Sequence, residues 1–99
     1  VTAPIFLNRP EARRQYKLRG LLCTLRKRRG EGRTRARSGS LFKFEDLGPV
    51  LVIKIKERPS DEFLGRFVEF SGFDALAKWK AAAEPGANVL YYVFALERP

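Results

Sequence analysis

Apolar residues recur along this chain in short blocks, and the spacing within each block assigns an element. Pro4–Leu7 is a brief apolar run and reads as an opening strand. Asn8 then precedes Arg9 and Pro10, a capping residue followed by a proline that a first helical turn tolerates. Pro10–Arg19 is therefore predicted as a short basic helix, closed by Gly20 where a left-handed residue commonly ends one. In Leu21–Arg28 the pattern turns to strand, with Leu22, Thr24 and Arg26 on one face and Cys23, Leu25 and Lys27 on the other.

Residues Arg29–Ser40 contain three glycines, four arginines, two serines and no large apolar side chain. With nothing to place in a core, this stretch is expected to be a flexible basic hairpin loop. Leu41–Phe44 resumes strand. Val50–Lys56 is a clearer strand, with Leu51, Ile53 and Ile55 expected inward and Lys54 and Lys56 outward. Arg58–Glu62 is a polar turn around Pro59, and Glu62–Phe70 follows no clean period, leaving loop or short helix. Ser71 and Asp74 have capping-box spacing ahead of Phe73, Leu76, Trp79 and Ala83, which recur at helical intervals. That helix stops at Glu84-Pro85-Gly86. Val89–Leu96 is apolar on both faces, as in a central strand covered on each side. The resulting order, β-α-β-β-β-α-β without internal repeat, is α+β: a mixed sheet or small barrel flanked by two short helices.

Composition narrows the classes. Ninety-nine residues, 44% of them apolar, suffice for one core and one domain. The longest apolar runs, Pro49–Ile53 and Val89–Leu96, fall far short of the roughly 20 residues of a membrane span. Val1–Leu7 is too short for a signal peptide and is followed by charge, so a soluble, cytoplasmic protein is expected. Cys23 is the single cysteine and there is no histidine, which excludes an internal disulfide, a histidine-based triad and an obvious metal site. No cofactor is expected. Cys23 sits among leucines and reads as a small buried hydrophobe. The absence of histidine and methionine, with a surface rich in Arg and Glu, hints at a thermophile.

Charge changes the picture most. The chain carries +9, and between Arg9 and Arg37 twelve Lys/Arg face only Glu11 and Glu31. The remainder is close to neutral. One continuous, one-signed, arginine-dominated third points to a polyanionic partner. Arginine forks onto phosphate oxygens and stacks on bases, which suits nucleic acid. A solvated, highly charged surface is the plain alternative, but ion-pair networks need both signs.

Four stretches resemble the ASCH domains of the PUA-like fold. They are Gly20–Arg26, similar to a glycine turn followed by a Thr-x-Arg strand; Gly48–Lys56; Ser60–Phe73, ending in a small residue and Gly-Phe before a helix; and the closing strand Asn88–Leu96. The resemblance covers most of the chain in order. It implies a small PUA-like mixed β-barrel with a cleft at one end, in a family linked to RNA through its fold relatives. Some members hydrolyse amide bonds of modified nucleosides with a lysine in the glycine turn, a threonine and an acid. Here the threonine is Thr24, the lysine position falls on Leu21 or Leu22, and the acid falls near Ser71, with Glu69 nearest. Leucine cannot act as base or nucleophile, so the resemblance brings no complete catalytic set.

The expected function is binding of nucleic acid, RNA ahead of DNA, by a monomer, with a ribonucleoprotein complex as a further partner class. The expected fixed basic face is Arg13, Arg14, Lys17, Arg19, Arg26, Lys27, Arg28 and Arg29, with Arg33, Arg35 and Arg37 as a flexible arm. If that arm extends, its three arginines point the same way. Tyr16, set among basic residues, is the aromatic expected to stack on RNA, whereas Trp79 is expected in the core. Arg26 is expected at the cleft beside Thr24, or alternatively in an ion pair with Glu69. An amidohydrolase using Thr24 and Glu69 and a structural ribonucleoprotein component are the other two readings.

Overall fold

The computed structural model describes residues 3–97. Five strands, β1 (Ile5–Phe6), β2 (Leu21–Arg26), β3 (Gly32–Gly39), β4 (Phe44–Glu57) and β5 (Val89–Ala95), form one mixed sheet in the spatial order β1-β3-β4-β5-β2. β1 runs parallel to β3, and every other neighbouring pair is antiparallel. Helix α1 (Pro10–Arg19) connects β1 to β2; α2 (Asp61–Gly65), a 3-10 turn (Val68–Phe70) and α3 (Leu76–Ala82) lie between β4 and β5. The sheet curls until its two edges approach each other: Arg26 Nη2 on β2 donates to the Phe6 carbonyl on β1 at 2.7 Å. The architecture is α+β and barrel-like. Among the described residues, no helix is long and apolar enough to cross a membrane.

Helix α1 ends as its sequence predicts. Gly20 takes φ 67°, and its N–H closes on the Tyr16 carbonyl at 2.7 Å. The start differs, because Arg9, not Asn8, occupies the cap position and makes no side-chain cap bond. Asn8 instead exchanges two hydrogen bonds with the Gly39 backbone, at 2.7 and 2.9 Å, tying the chain after β1 to the end of β3. Ser71 does not cap α3 either. Its hydroxyl donates to the Val68 carbonyl at 2.6 Å and accepts from the Phe73 N–H at 3.1 Å, turning the chain on itself, while Ala75 precedes α3. The segment left between loop and helix contains α2, capped by Ser60 on the Phe63 N–H at 3.1 Å.

The sheet separates two apolar clusters. Its concave face holds Ile5, Leu7, Tyr16, Ala36, Val50, Val52 and Tyr91, closed by α1. Its convex face packs Cys23, Leu25 and Leu90 against Leu64 and Trp79 of the helical layer. β5 lies between β4 and β2; Val89, Tyr91 and Val93 enter the concave core and Leu90 the convex cluster, whereas Tyr92 and Phe94 stay partly exposed, so the expected cover on both faces is only partial.

Two stretches of the sheet, residues 29–44 and β4, depart from the sequence expectations. Residues 29–40 are not a loop: Gly32–Gly39 is strand β3, paired to β1 on one side and β4 on the other, with Ala36 fully buried. The concave side beneath β1 is crowded, so small residues, Thr34, Ala36 and Ser38, take the inward positions that large ones would overfill. The expected strand at Leu41–Phe44 is the hairpin tip instead. Leu41 and Phe42 are exposed, Phe42 at 98%, and β4 begins at Phe44. The phase of β4 is the second correction. Val50 and Val52 enter the concave core, whereas Leu51 and Ile53 lie on the opposite face. Ile55, at the bulge between Lys54 and Lys56, packs against the convex cluster, and beyond the bulge Lys56 stands opposite Leu90.

Candidate nucleic-acid interface

Two regions bring sequence-predicted residues together. One is a cleft of about 270 Å³ at the end of the sheet, between β2, the start of α1 and the helical layer. Thr24, Arg26, Asn8, Arg9, Ser71 and Glu84 supply its polar lining, and Phe6, Phe73 and Trp79 its apolar walls. Gly72 makes this junction feasible. At φ +89° a Cβ there would collide with the Glu11 carbonyl, so the turn after Ser71 lies directly on the first turn of α1. Arg9 Nε bridges the cleft's rim to the last carbonyl of α3, Ala82, at 3.1 Å.

Thr24 and Arg26 share the concave face of β2, as alternation predicts. Arg26 Nε donates to Thr24 Oγ1 at 3.1 Å while Nη2 holds the Phe6 carbonyl. Burial pushes the Arg26 guanidinium down to about 10; Arg29 acts in the same direction and Glu84 opposes both. Glu69 is exposed on the 3-10 turn and is not among the cleft's lining residues, so it neither pairs with Arg26 nor joins Thr24. The acid that lines the cleft is Glu84, which sequence reasoning placed only in a helix stop. Cys23 is fully buried, and desolvation raises its thiol to about 12, so it stays protonated.

Several members of the expected basic face are bound to backbone instead. Arg13 Nη1 donates to Leu7 O at 3.1 Å, and Arg29 Nη2 donates to Ala3 O. The Arg29 backbone exchanges hydrogen bonds with the Tyr91 hydroxyl at 2.8 and 3.2 Å. With Arg26 on the Phe6 carbonyl, these arginines fasten β1 and the residues flanking it, and Ala3 O also accepts from Thr34 Oγ1 at 3.0 Å. Tyr16 is 1% exposed, in the concave core, its hydroxyl turned to the Leu47 carbonyl at 3.4 Å. The Tyr16 stacking role is therefore corrected: Ala12 and Tyr16, four apart, share the inward side of α1. Trp79 is in the core at 3% exposure, as expected. Arg14, Arg19 and Lys27 are exposed; Lys17 faces Glu45 at 3.7 Å and Arg28 faces Glu57 at 3.3 Å.

The second region is the outer face of β3. Arg33, Arg35 and Arg37 alternate with inward Thr34 and Ala36, so all three project to one side. Alternate residues of a strand stand roughly 6.6 Å apart. Arg35 grips Asp46 through two nitrogens, the shortest contact 2.8 Å, and Arg37 lies 4.0 Å over the Phe44 ring with its Nε buried and unpartnered. The hydrogen bond from Arg35 holds the Asp46 carboxyl below its usual range, helped by the Gly48 N–H. Among the described residues Asp46 is the one carboxylate in ion-pair contact with the row; Glu97 also acts on Arg35 through its charge, and Glu31 accepts the Lys54 N–H at 2.8 Å.

Compared with family models, curated proteins and solved structures, the chain matches none.

Proposed function

We propose that this chain binds nucleic acid, RNA ahead of DNA, with the outer face of β3 as its phosphate-binding row. The observation that carries this reading is the side-by-side placement of Arg33, Arg35 and Arg37 on one face of a sheet strand. A row of forked donors at near-nucleotide spacing meets successive phosphates without distortion. The basic residues still facing solvent on α1 and after β2, Arg14, Arg19 and Lys27, add long-range attraction. RNA is favoured because no helix presents base-reading amides for a major groove: Gln15 on α1 is buried and donates to the Leu21 carbonyl at 3.1 Å. The resemblance to ASCH domains, and the cleft beside Thr24, support the same preference.

The test is a titration of a structured RNA, a single strand and a DNA duplex across salt concentrations. Binding whose log affinity falls with log salt by roughly 0.7–0.9 per phosphate contact, strongest for an RNA, is the expected result. No binding at low salt would overturn the reading.

A second reading rests on Thr24 and Ser71 lining one cleft: hydrolysis of an amide on a modified nucleoside. Its acid would have to be Glu84, since Glu69 is not in the lining. Activity abolished by Thr24→Ala at unchanged RNA affinity would favour it.

A further inference from the structure

The face that carries the arginine row continues across the sheet. Residues opposite one another in a ladder share a face, so the register extends the row sideways: Arg33 opposes Leu51 on β4, and Leu51 opposes Phe94 on β5. One step along, Ile53 opposes Tyr92. The Tyr92 and Phe94 ring centroids are 5.2 Å apart, and the helical layer begins only beyond Tyr92, with Phe67 at 6.0 Å. The helices therefore cover the β2 side of this face and the far end of β4, at Ile55 and Lys56, and leave Leu51 and Ile53 beside the row uncovered. Leu51, Tyr92 and Phe94 remain partly exposed, and Ile53 is 39% exposed. An apolar strip with two aromatic rings is bordered along one side by three guanidiniums. Strands lie about 4.8 Å apart, so Phe94 stands roughly 10 Å from the row, about the reach of a nucleotide from phosphate to base.

We infer that this face binds single-stranded nucleic acid, with phosphates on Arg33, Arg35 and Arg37 and unpaired bases laid on Leu51, Ile53, Tyr92 and Phe94. The inference rests on the nucleic-acid reading above and adds the form of ligand. A duplex offers this face only its backbone, because its base faces are stacked on one another. A single strand offers phosphates and base faces together, which is what a charged border beside an apolar strip accommodates. The strip holds one base-reading group, the Tyr92 hydroxyl, so recognition is tolerant of sequence. The arginine border argues against a neutral protein partner, for which three guanidiniums would be desolvated without compensation.

The experiment places a reporter in the strip. Ile53→Trp puts an indole on the exposed face, against a background of one buried tryptophan. Its emission is read during titration with RNA and DNA decamers, a blunt RNA duplex and poly-glutamate. Quenching by the decamers and not by the duplex or the polypeptide is the expected result, and the preferred decamer distinguishes RNA from DNA. The second variant, Ile53→Ser, should bind the preferred decamer about tenfold more weakly at an unchanged salt slope, because a stacking surface is lost and no phosphate contact is. Unchanged melting of both variants establishes that the fold is intact. Salt-sensitive binding that leaves the indole unquenched and Ile53→Ser unaffected would overturn the platform while sparing the phosphate row. Quenching by poly-glutamate as strong as by the decamers would reassign the face to an acidic protein. Absence of any nucleic-acid binding would remove both readings.

Discussion

Two sets of arginines from the same third of the chain do different work. Arg13, Arg26 and Arg29 turn inward and donate to Leu7, Phe6 and Ala3 carbonyls. Arg33, Arg35 and Arg37 stand outward on β3, where among the described residues only Arg35 is in ion-pair contact with a carboxylate. The difference follows from what each set has within reach. The short edge strand β1 leaves the Phe6 carbonyl toward β2, and the residues flanking β1 have carbonyls within reach of Arg13 and Arg29, so a guanidinium supplies directed donors without another strand. The arginines of β3 project from the sheet face, and among the described residues no backbone carbonyl accepts from their side chains. A one-signed charge block therefore divides into a clasp that fastens backbone around β1 and a row that faces outward. Net charge alone does not distinguish the two.

The largest expected effect belongs to the clasp. Arg26→Ala leaves the Phe6 carbonyl and Thr24 without their partner, a loss of about 1.5–3 kcal/mol for a charged donor in a partly buried setting. For a domain of this size that lowers the melting temperature by roughly 6–20 °C. The salt slope of RNA binding should stay as it is in the native protein. A lower slope with unchanged melting would move Arg26 from the clasp to the interface.

Asp46→Asn sharpens the other side. Removing the carboxylate paired with the row frees Arg35, and RNA affinity should rise by about two- to fivefold at low salt, an effect that added salt erases. A fall in affinity would mean that Asp46 orients Arg35 for its ligand. The pH dependence has a definite sign. The Asp46 carboxyl is held below its usual 3.8, so the pair's contribution is present above that value and is lost as pH falls through the lower folded-state value. Thermal melts of the native protein and Asp46→Asn should therefore converge in acid.

Tyr16→Phe should have the smallest effect. It deletes one long hydrogen bond to Leu47, worth about 0.5–1 kcal/mol, and leaves RNA affinity unchanged. Weakened binding at intact stability would return Tyr16 to the interface.

The legible parts of this chain are those where one periodicity applies. α1 with Gly20, the alternation of Thr24 and Arg26 on β2, the buried Trp79 and the strand β5 with its buried first half all follow from spacing. The strand at Arg33–Arg37 was obscured because its inward residues are small. Arg-Thr-Arg-Ala-Arg-Ser is a period-two pattern, but its inner half carries too little apolar surface to announce a core position. β4 is apolar at consecutive positions, so alternation could not choose between Val50/Val52 and Leu51/Ile53 for the concave side. Tyr16 was legible in principle, four residues from Ala12, but neighbouring arginines in sequence are not neighbours in space. The fastening of Arg13 and Arg29 to the residues flanking β1, and the entry of Glu84 into the cleft, depend on contacts between distant segments and leave no local signature.

The most direct measurement compares the native protein with Arg33→Ala/Arg35→Ala/Arg37→Ala in RNA titrations from low to moderate salt, with a thermal melt of each. The account predicts a slope of log affinity against log salt reduced by roughly 2–3, from three lost phosphate contacts at 0.7–0.9 each, with little change in melting. An unchanged slope in a folded triple variant would contradict it.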